Sequence, residues 1–162
     1  MIVRSFAPIS APDAKILILG SMPGVASLEA GQYYAHPRNA FWPIMGVLFG
    51  AGPDLPYAER VVRLMASGVA VWDVLQACER EGSLDSNIRS EVPNDFAAFF
   101  RAHPSIRRIS LNGGKAAAAF RKHAARQGPP LAEIVTLPST SPAHAARSVG
   151  MKCALWKAAL LP

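Results

Sequence analysis

Cysteine is nearly absent: the 162 residues hold only Cys78 and Cys153, far apart and outside any CxxC pair. Two isolated thiols exclude a disulfide framework, a zinc knuckle and the four-cysteine cradle of an iron–sulfur cluster. Long apolar runs are missing too. No window reaches the roughly 18 apolar residues of a membrane span, and the opening MIVRSFAPIS has no extended hydrophobic stretch behind Arg4. The expectation is a soluble, cytoplasmic protein without a secretory leader or membrane partner. Acidic residues are outnumbered, eleven against seventeen Lys and Arg, for a formal charge of +6. Such an excess attracts anionic partners over distance without singling out nucleic acid. The glycine-rich turn Gly20 to Gly24 also lacks a Lys-Ser or Lys-Thr pair, so a nucleotide-handling enzyme with a phosphate loop there ranks last.

What is present is a well-stocked core. Half of the residues are hydrophobic and 17% are charged, which sets the chain apart from disordered sequences and suits one domain over residues 1–162. The run Lys15 to Leu19 is continuously apolar after its lysine and stops at Gly20, as a strand buried on both faces would. Ser21 to Arg38 has no steady periodicity and reads as an 18-residue loop, a length that calls for a functional reason. Ala40 to Phe49 reads as a helix with Pro43 in its first turn, and Pro56 opens a second one that Gly68 closes. Val69 to Trp72 is an inner strand ending at Asp73. Asn94 or Asp95 caps a helix carrying Phe96, Phe99 and Phe100.

Ile106 to Leu111 forms a third strand, and Asn112-Gly113-Gly114 turns into an alanine-rich helix from Lys115 to Arg126, broken by Gly128-Pro129-Pro130. Leu131 to Leu137 is the fourth strand. Ser141 as N-cap with Pro142 at the first helical position then starts the last helix. This alternation predicts an α/β fold, a three-layer αβα sandwich around a central, largely parallel four-stranded sheet. Ligands in such folds lie beyond the carboxyl ends of the strands. That rule directs attention to Gly20 to Phe41, to Asp73 onward, and to Pro138 to Ala143.

The first of these segments runs G20-S-M-P-G24, S27-L28, Q32-Y-Y-A-H-P-R-N-A-F-W42. Gly20 and Gly24 allow a tight bend that Pro23 stiffens, and amides around Ser21 and Met22 are free to hold a carbonyl or phosphate. A loop asparagine such as Asn39 is by itself more often a helix cap than a catalyst. With its surroundings, however, the segment resembles the first active-site motif of the uracil-DNA glycosylase superfamily, and its full text resembles the hypoxanthine-DNA glycosylase branch. The resemblance extends through V71-W-D-V-L75, Cys78, R80-E-G-S-L-D85, L111-N-G113 and L137-P-S-T-S-P-A143.

That resemblance implies a monofunctional enzyme, independent of metal and cofactor, that flips a lesion from double-stranded DNA containing a deaminated base and hydrolyses its N-glycosidic bond. Tyr34 falls where mismatch-glycosylase relatives carry a stacking phenylalanine, and it is the candidate platform for the flipped base. Asn39 is the candidate catalytic residue, its amide orienting the attacking water. Met22 occupies the place where those relatives carry their catalytic asparagine, and methionine cannot polarise water. Leu137 stands where many members carry a histidine that stabilises a departing uracil. Both departures favour hypoxanthine over uracil as the excised base.

Gly20, Ser21, Met22, Pro23, Gly24, Tyr34, His36, Asp73 and Asn112 make up the expected substrate site. His36 either shapes the loop or touches the sugar or base; Asp73 either receives a base N–H or anchors its loop; Asn112 either supports the pocket floor or belongs to a turn. The resemblance assigns Pro138 to Ala143 to a loop that enters the minor groove. Ser139, Thr140 and Ser141 become phosphate candidates beside plain capping roles, and Arg147 follows as a backbone or wedge contact. His144 reads as solvent-facing. Lys115, Arg121, Lys122, His123, Arg126 and Lys152 add dispersed positive charge, on a DNA-facing side or a merely solvated one. A monomer is expected. A uracil or mismatch-specific glycosylase of the same fold and a noncatalytic nucleic-acid binding module remain as alternatives.

Overall fold

The computed structural model describes residues 1–127, 132–144 and 147–162. Its centre is a four-stranded sheet in the order β3-β2-β6-β7, with every neighbouring pair parallel. The strands are β2 (Ile16–Gly20), β3 (Val69–Asp73), β6 (Arg108–Asn112) and β7 (Glu133–Leu137). Alternate residues serve opposite faces, as the twofold period of a strand requires. Leu17, Leu19, Ala70, Trp72, Ile109 and Leu111 join one buried cluster, and Ile18, Val69, Val71 and Leu137 the other.

Helices cover both faces. On the first side α4 (Phe96–Ala102) supplies Phe96, Phe99 and Phe100, and α5 (Gly114–His123) supplies Ala117, Ala119 and Phe120. The opposite face is covered by α2 (Phe41–Phe49), α3 (Tyr57–Ala66) and α6 (Val149–Leu160), with Phe41, Trp42, Leu64 and Trp156 buried beneath them. The three-layer α/β architecture expected from the sequence is therefore present. Asp95 caps α4 by accepting from the Ala98 N–H at 3.0 Å.

Three parts of the expected layout are corrected. The stretch from Ser21 to Arg38 is not a continuous loop, because α1 (Val25–Ala30) lies within it, ended by Gly31. The last helix does not begin at Ser141 and Pro142, which sit in a turn. It starts at Val149, capped by the Ser148 hydroxyl, which accepts from the Met151 N–H at 3.2 Å. A second sheet was also not foreseen. It is antiparallel, in the order β1-β4-β5, and comprises β1 (Ile2–Arg4), β4 (Leu75–Glu79) and β5 (Arg89–Pro93). The proposed helix breaker Gly128-Pro129-Pro130 and the strand start at Leu131 lie outside the described residues.

The small sheet grows directly from the large one. Asp73 ends β3 and Leu75 begins β4, with the intervening Val74 N–H bonded to the Gly20 carbonyl at 2.8 Å. On β5, Glu91 accepts from Lys115 Nζ at 2.5 Å and lies 2.9 Å from His123 Nε2, so α5 holds this sheet in place. Burial pushes the Glu91 carboxyl up, but the hydrogen bonds from Lys115 and His123 prevail and hold it below its ordinary value.

Candidate active site

Parallel pairing sets the site before any loop is considered. In register, Gly20 stands opposite Asp73 and Asn112 opposite Leu137, so the three polar or small candidates share one rim of the sheet. Beyond that rim lies a cavity of about 650 Å³, within the usual range for small-molecule sites. Every expected substrate residue lines it, from Gly20 through Gly24, with Tyr34, His36, Asp73 and Asn112. Asn39, Ser139, Thr140 and Ser141 line it as well. Arg147 does not; it is exposed, just ahead of α6. His144, expected in solvent, is exposed and yet contributes to the cavity rim.

Asn39 caps the following helix and also lines the cavity. Its Oδ1 accepts from the Phe41 N–H at 2.9 Å, which satisfies an orphan amide at the start of α2. An amide oxygen has a second lone pair, and the Nδ2 group has two N–H donors, so capping fixes the side chain without exhausting it. His36 accepts from the Arg38 N–H through Nδ1 at 3.1 Å. With Nδ1 accepting, Nε2 is the nitrogen of this ring that carries a donor.

Tyr34 stacks on Phe41, ring centroids 4.1 Å apart at an interplanar angle of 22°. One face of the phenol is thereby backed by a fully buried ring, and the residue lines the cavity. Its φ of 54° lies in the left-handed region, which costs a non-glycine residue roughly 1 kcal/mol or more. Tyr34 Oη accepts from Asn112 Nδ2 at 3.2 Å. Burial, then the nearby Asp73 carboxyl, pushes the phenol far above its ordinary pKa, so it stays neutral.

Asn112 is a strut. Besides Tyr34, its Nδ2 donates to Thr140 Oγ1 at 3.0 Å, and its Oδ1 accepts from the Thr140 N–H at 3.0 Å. Thr140 is 1% exposed, and its carbonyl accepts from the Ala40 N–H, so the Asn39 loop and the Ser139 loop are joined directly. Ser139 Oγ accepts from the Ser141 N–H, and Ser141 Oγ from the Ala143 N–H. Gly113, at φ +96°, has Ser139 so close that a Cβ would come within 2.9 Å of it. A glycine there lets the two loops meet.

The opposite wall belongs to residues 80–85, which sequence reasoning quoted as part of the resemblance but did not place in the site. Ser83, Leu84 and Asp85 line the cavity. Three bonds fasten this segment to the first loop: Arg80 donates to the Pro23 carbonyl, the Val25 N–H donates to Ser83 Oγ at 2.8 Å, and Ser21 Oγ donates to Asp85 Oδ1 at 2.8 Å. Arg80 also donates from Nε to the Gly82 carbonyl at 2.8 Å, and is 3% exposed. A lone arginine in a polar run carries no periodic signal that would have revealed this burial.

Asp73 is 3% exposed, and its Oδ2 is buried without a hydrogen-bond partner among the described residues. Burial, then the Asp85 carboxylate, pushes its pKa up to about 7, against a downward pull from Arg80. Met22, 8% exposed, lines the cavity and packs into the first core cluster. Leu137 is buried in the second cluster, away from the cavity lining.

Of the dispersed charges, Lys152 is buried and donates to the His144 carbonyl at 2.6 Å, which ties α6 to the cavity rim instead of facing DNA. Lys115 and His123 are engaged by Glu91, whereas Arg121 and Lys122 are exposed. The Arg126 side chain lies outside the described residues. No helix is long and apolar enough to cross a membrane among the described residues. Nor do any three His, Cys, Asp or Glu side chains there group closely enough to hold a metal ion.

The chain is similar to known proteins. Hypoxanthine DNA glycosylase of Methanosarcina acetivorans is 39% identical over 117 residues, which is 72% of this chain and 74% of the relative. Its counterpart from Methanosarcina barkeri is 35% identical over 113 residues, covering 69% and 72%. The solution structure of a candidate uracil DNA glycosylase from Methanosarcina acetivorans superposes with a TM-score of 0.80 at 34% identity, over 98% of each chain. The Uracil DNA glycosylase superfamily model matches residues 7–161, and the chain belongs to that superfamily.

Proposed function

We propose that the protein is a monofunctional DNA glycosylase that swings deaminated adenine out of a duplex, hydrolyses its N-glycosidic bond, and leaves hypoxanthine and an abasic site. The observation that carries this reading is the meeting of Asn39, Tyr34 and Asp73 in one cavity beyond the strand ends. The identity to two hypoxanthine DNA glycosylases supports the choice of base. Burial of Leu137 and the presence of methionine at position 22 agree with it, since neither side chain can assist a departing uracil.

In this reading the flipped purine lies against the face of Tyr34 that Phe41 leaves open, which offsets part of the cost of unstacking it. Asn39 orients water toward the anomeric carbon through the hydrogen-bonding capacity left over from its cap. An amide supplies position and a dipole, not a strong base, and this suffices where the bond to the base is largely broken before water arrives. The backbone of Ser21 to Gly24 and the Nε2–H of His36 contact the nucleotide. Ser139 and Ser141 hold phosphates, Thr140 and Asn112 brace that loop from behind, and Arg147 reaches the strand from outside the cavity. The whole chain acts as one domain and as a cytoplasmic monomer, because a single chain supplies all the candidate groups.

The test uses a duplex with a single deoxyinosine, incubated in EDTA and then cleaved with alkali. Wild type should release the base, and Asn39→Ala should lose most of the rate while keeping its DNA affinity. Parallel duplexes with uracil, xanthine or mismatched thymine should react more slowly. Equal rates for wild type and Asn39→Ala would remove Asn39 from the chemistry, and preferential uracil release would transfer the reading to a uracil glycosylase. Salt-sensitive binding with no release from any duplex would indicate a noncatalytic module.

A further inference from the structure

We propose that Asp73 is a second catalytic residue of the proposed hydrolysis, a neutral carboxylic acid that gives its proton to the purine as the bond to the sugar breaks. This deepens the functional reading above and rests on it.

The case begins with where the carboxyl sits. Asp73 ends β3 opposite Gly20, and a Cβ on Gly20 would lie 2.5 Å from Asp73 Oδ1 and 2.9 Å from Tyr34 Oη. The missing side chain at position 20 is thus the space in which the acid and the base-stacking tyrosine converge, and all three residues line the cavity. A base resting on Tyr34 has Asp73 at its edge.

The protonation state follows from the surroundings. Tyr33 and Tyr34 face Asp73 from the loop after α1, Asp85 from the turn before β5, and Arg80 from the end of β4. Both phenols are neutral. Asp85, held by Ser21, adds like charge. Arg80 is the one cation in this set, and it directs Nε and one terminal nitrogen to the carbonyls of Gly82 and Pro23. No salt bridge to Asp73 forms among the described residues. A buried carboxyl that no cation bridges, whose Oδ2 has no hydrogen-bond partner among the described residues and which has a like charge near it, is held toward its protonated form. As a neutral acid it is a donor without an acceptor, and the lone pairs of hypoxanthine at N3, N7 and O6 are acceptors of the right kind. A titration near neutral pH suits proton transfer at working conditions.

The step balances as follows. The electron pair of the C1′–N9 bond goes to the purine, the Asp73 proton goes to a purine lone pair, and the base departs neutral instead of as an anion. The water held by Asn39 bonds to C1′ and releases one proton to solvent. Solvent returns a proton to Asp73 before the next turnover, so the sum is water plus deoxyinosine giving hypoxanthine plus an abasic sugar.

The test is a single-turnover pH profile from 5.5 to 9 on a deoxyinosine duplex, for wild type and Asp73→Asn, with affinity for an uncleavable 2′-fluorinated duplex measured alongside. Wild type should be level below about pH 6 and fall about tenfold per pH unit above pH 7. Asp73→Asn should be slower by roughly a hundredfold or more at pH 6, with no fall across the range and with binding retained. A wild-type rate that stays flat from pH 6 to 9 would overturn the proposal even if the variant failed to fold. So would a fall that persists in Asp73→Asn, or a loss of binding as large as the loss of rate, which would mark a recognition residue. No release from deoxyinosine by wild type at any pH would instead sink the functional reading, and this inference with it.

Discussion

Replacing Asn112 by alanine isolates the strut that joins the stacking tyrosine to the Ser139 loop. Three hydrogen bonds disappear: one to Tyr34 Oη, one to Thr140 Oγ1 and one from the Thr140 N–H. Tyr34 lines the cavity, where solvent can replace the lost partner, so its share of the loss is small. Thr140 is 1% exposed, and its N–H is left without a partner. An orphaned buried donor costs about 1–3 kcal/mol, and the lost bonds add about 1 kcal/mol more. The expected destabilisation is roughly 2–4 kcal/mol, which for a domain of this size lowers Tm by about 5–15 °C. Thermal unfolding followed by circular dichroism measures this directly. Base release should fall as well, because Tyr34 loses its only side-chain hydrogen bond among the described residues. A Tm within about 2 °C of wild type would refute the strut, and would mean that water replaces the amide without penalty.

Other perturbations address single features. Gly20→Ala puts a methyl into the gap between Asp73 and Tyr34, an overpacking worth about 1–3 kcal/mol, and base release should drop at least tenfold; an unchanged rate would show that the two side chains move aside freely. Tyr34→Ala should reduce the fluorescence rise of a 2-aminopurine reporter on binding, whereas Tyr34→Phe should keep it, since the stacking face survives. Asp73→Asn should stabilise the fold at pH 8. The raised acid binds a proton in the folded state at pH values where the unfolded chain has already lost it, so wild-type stability declines from about pH 4 to pH 7. The gap in Tm between variant and wild type should therefore widen across that interval and vanish near pH 4; a gap independent of pH would contradict the unpartnered carboxyl.

The parallel sheet was legible because its strands are short apolar runs bounded by Gly20, Asp73 and Asn112, residues that both end a strand and line the cavity. The small antiparallel sheet was not. Its strand Arg89–Pro93 is mostly exposed and polar, and β1 joins β4 from the far end of the chain, so no local pattern announces it. The site divides in the same way. Asn39 and Tyr34 belong to a long motif that identifies itself, whereas the burial of Arg80 and Lys152 follows from carbonyls brought to them by the fold. Ser141 and Pro142 imitate a helix start perfectly well in sequence, and yet the chain turns once more before Ser148 caps α6.

The fastening of residues 80–85 onto the first loop has an evolutionary corollary. The stretch that forms that wall links two strands of a peripheral hairpin, so it can change length without altering the strand pairing of the parallel sheet. A lineage adapting to a differently shaped lesion has its easiest route there: the Asn39 side of the chamber stays fixed while the opposing side is recut.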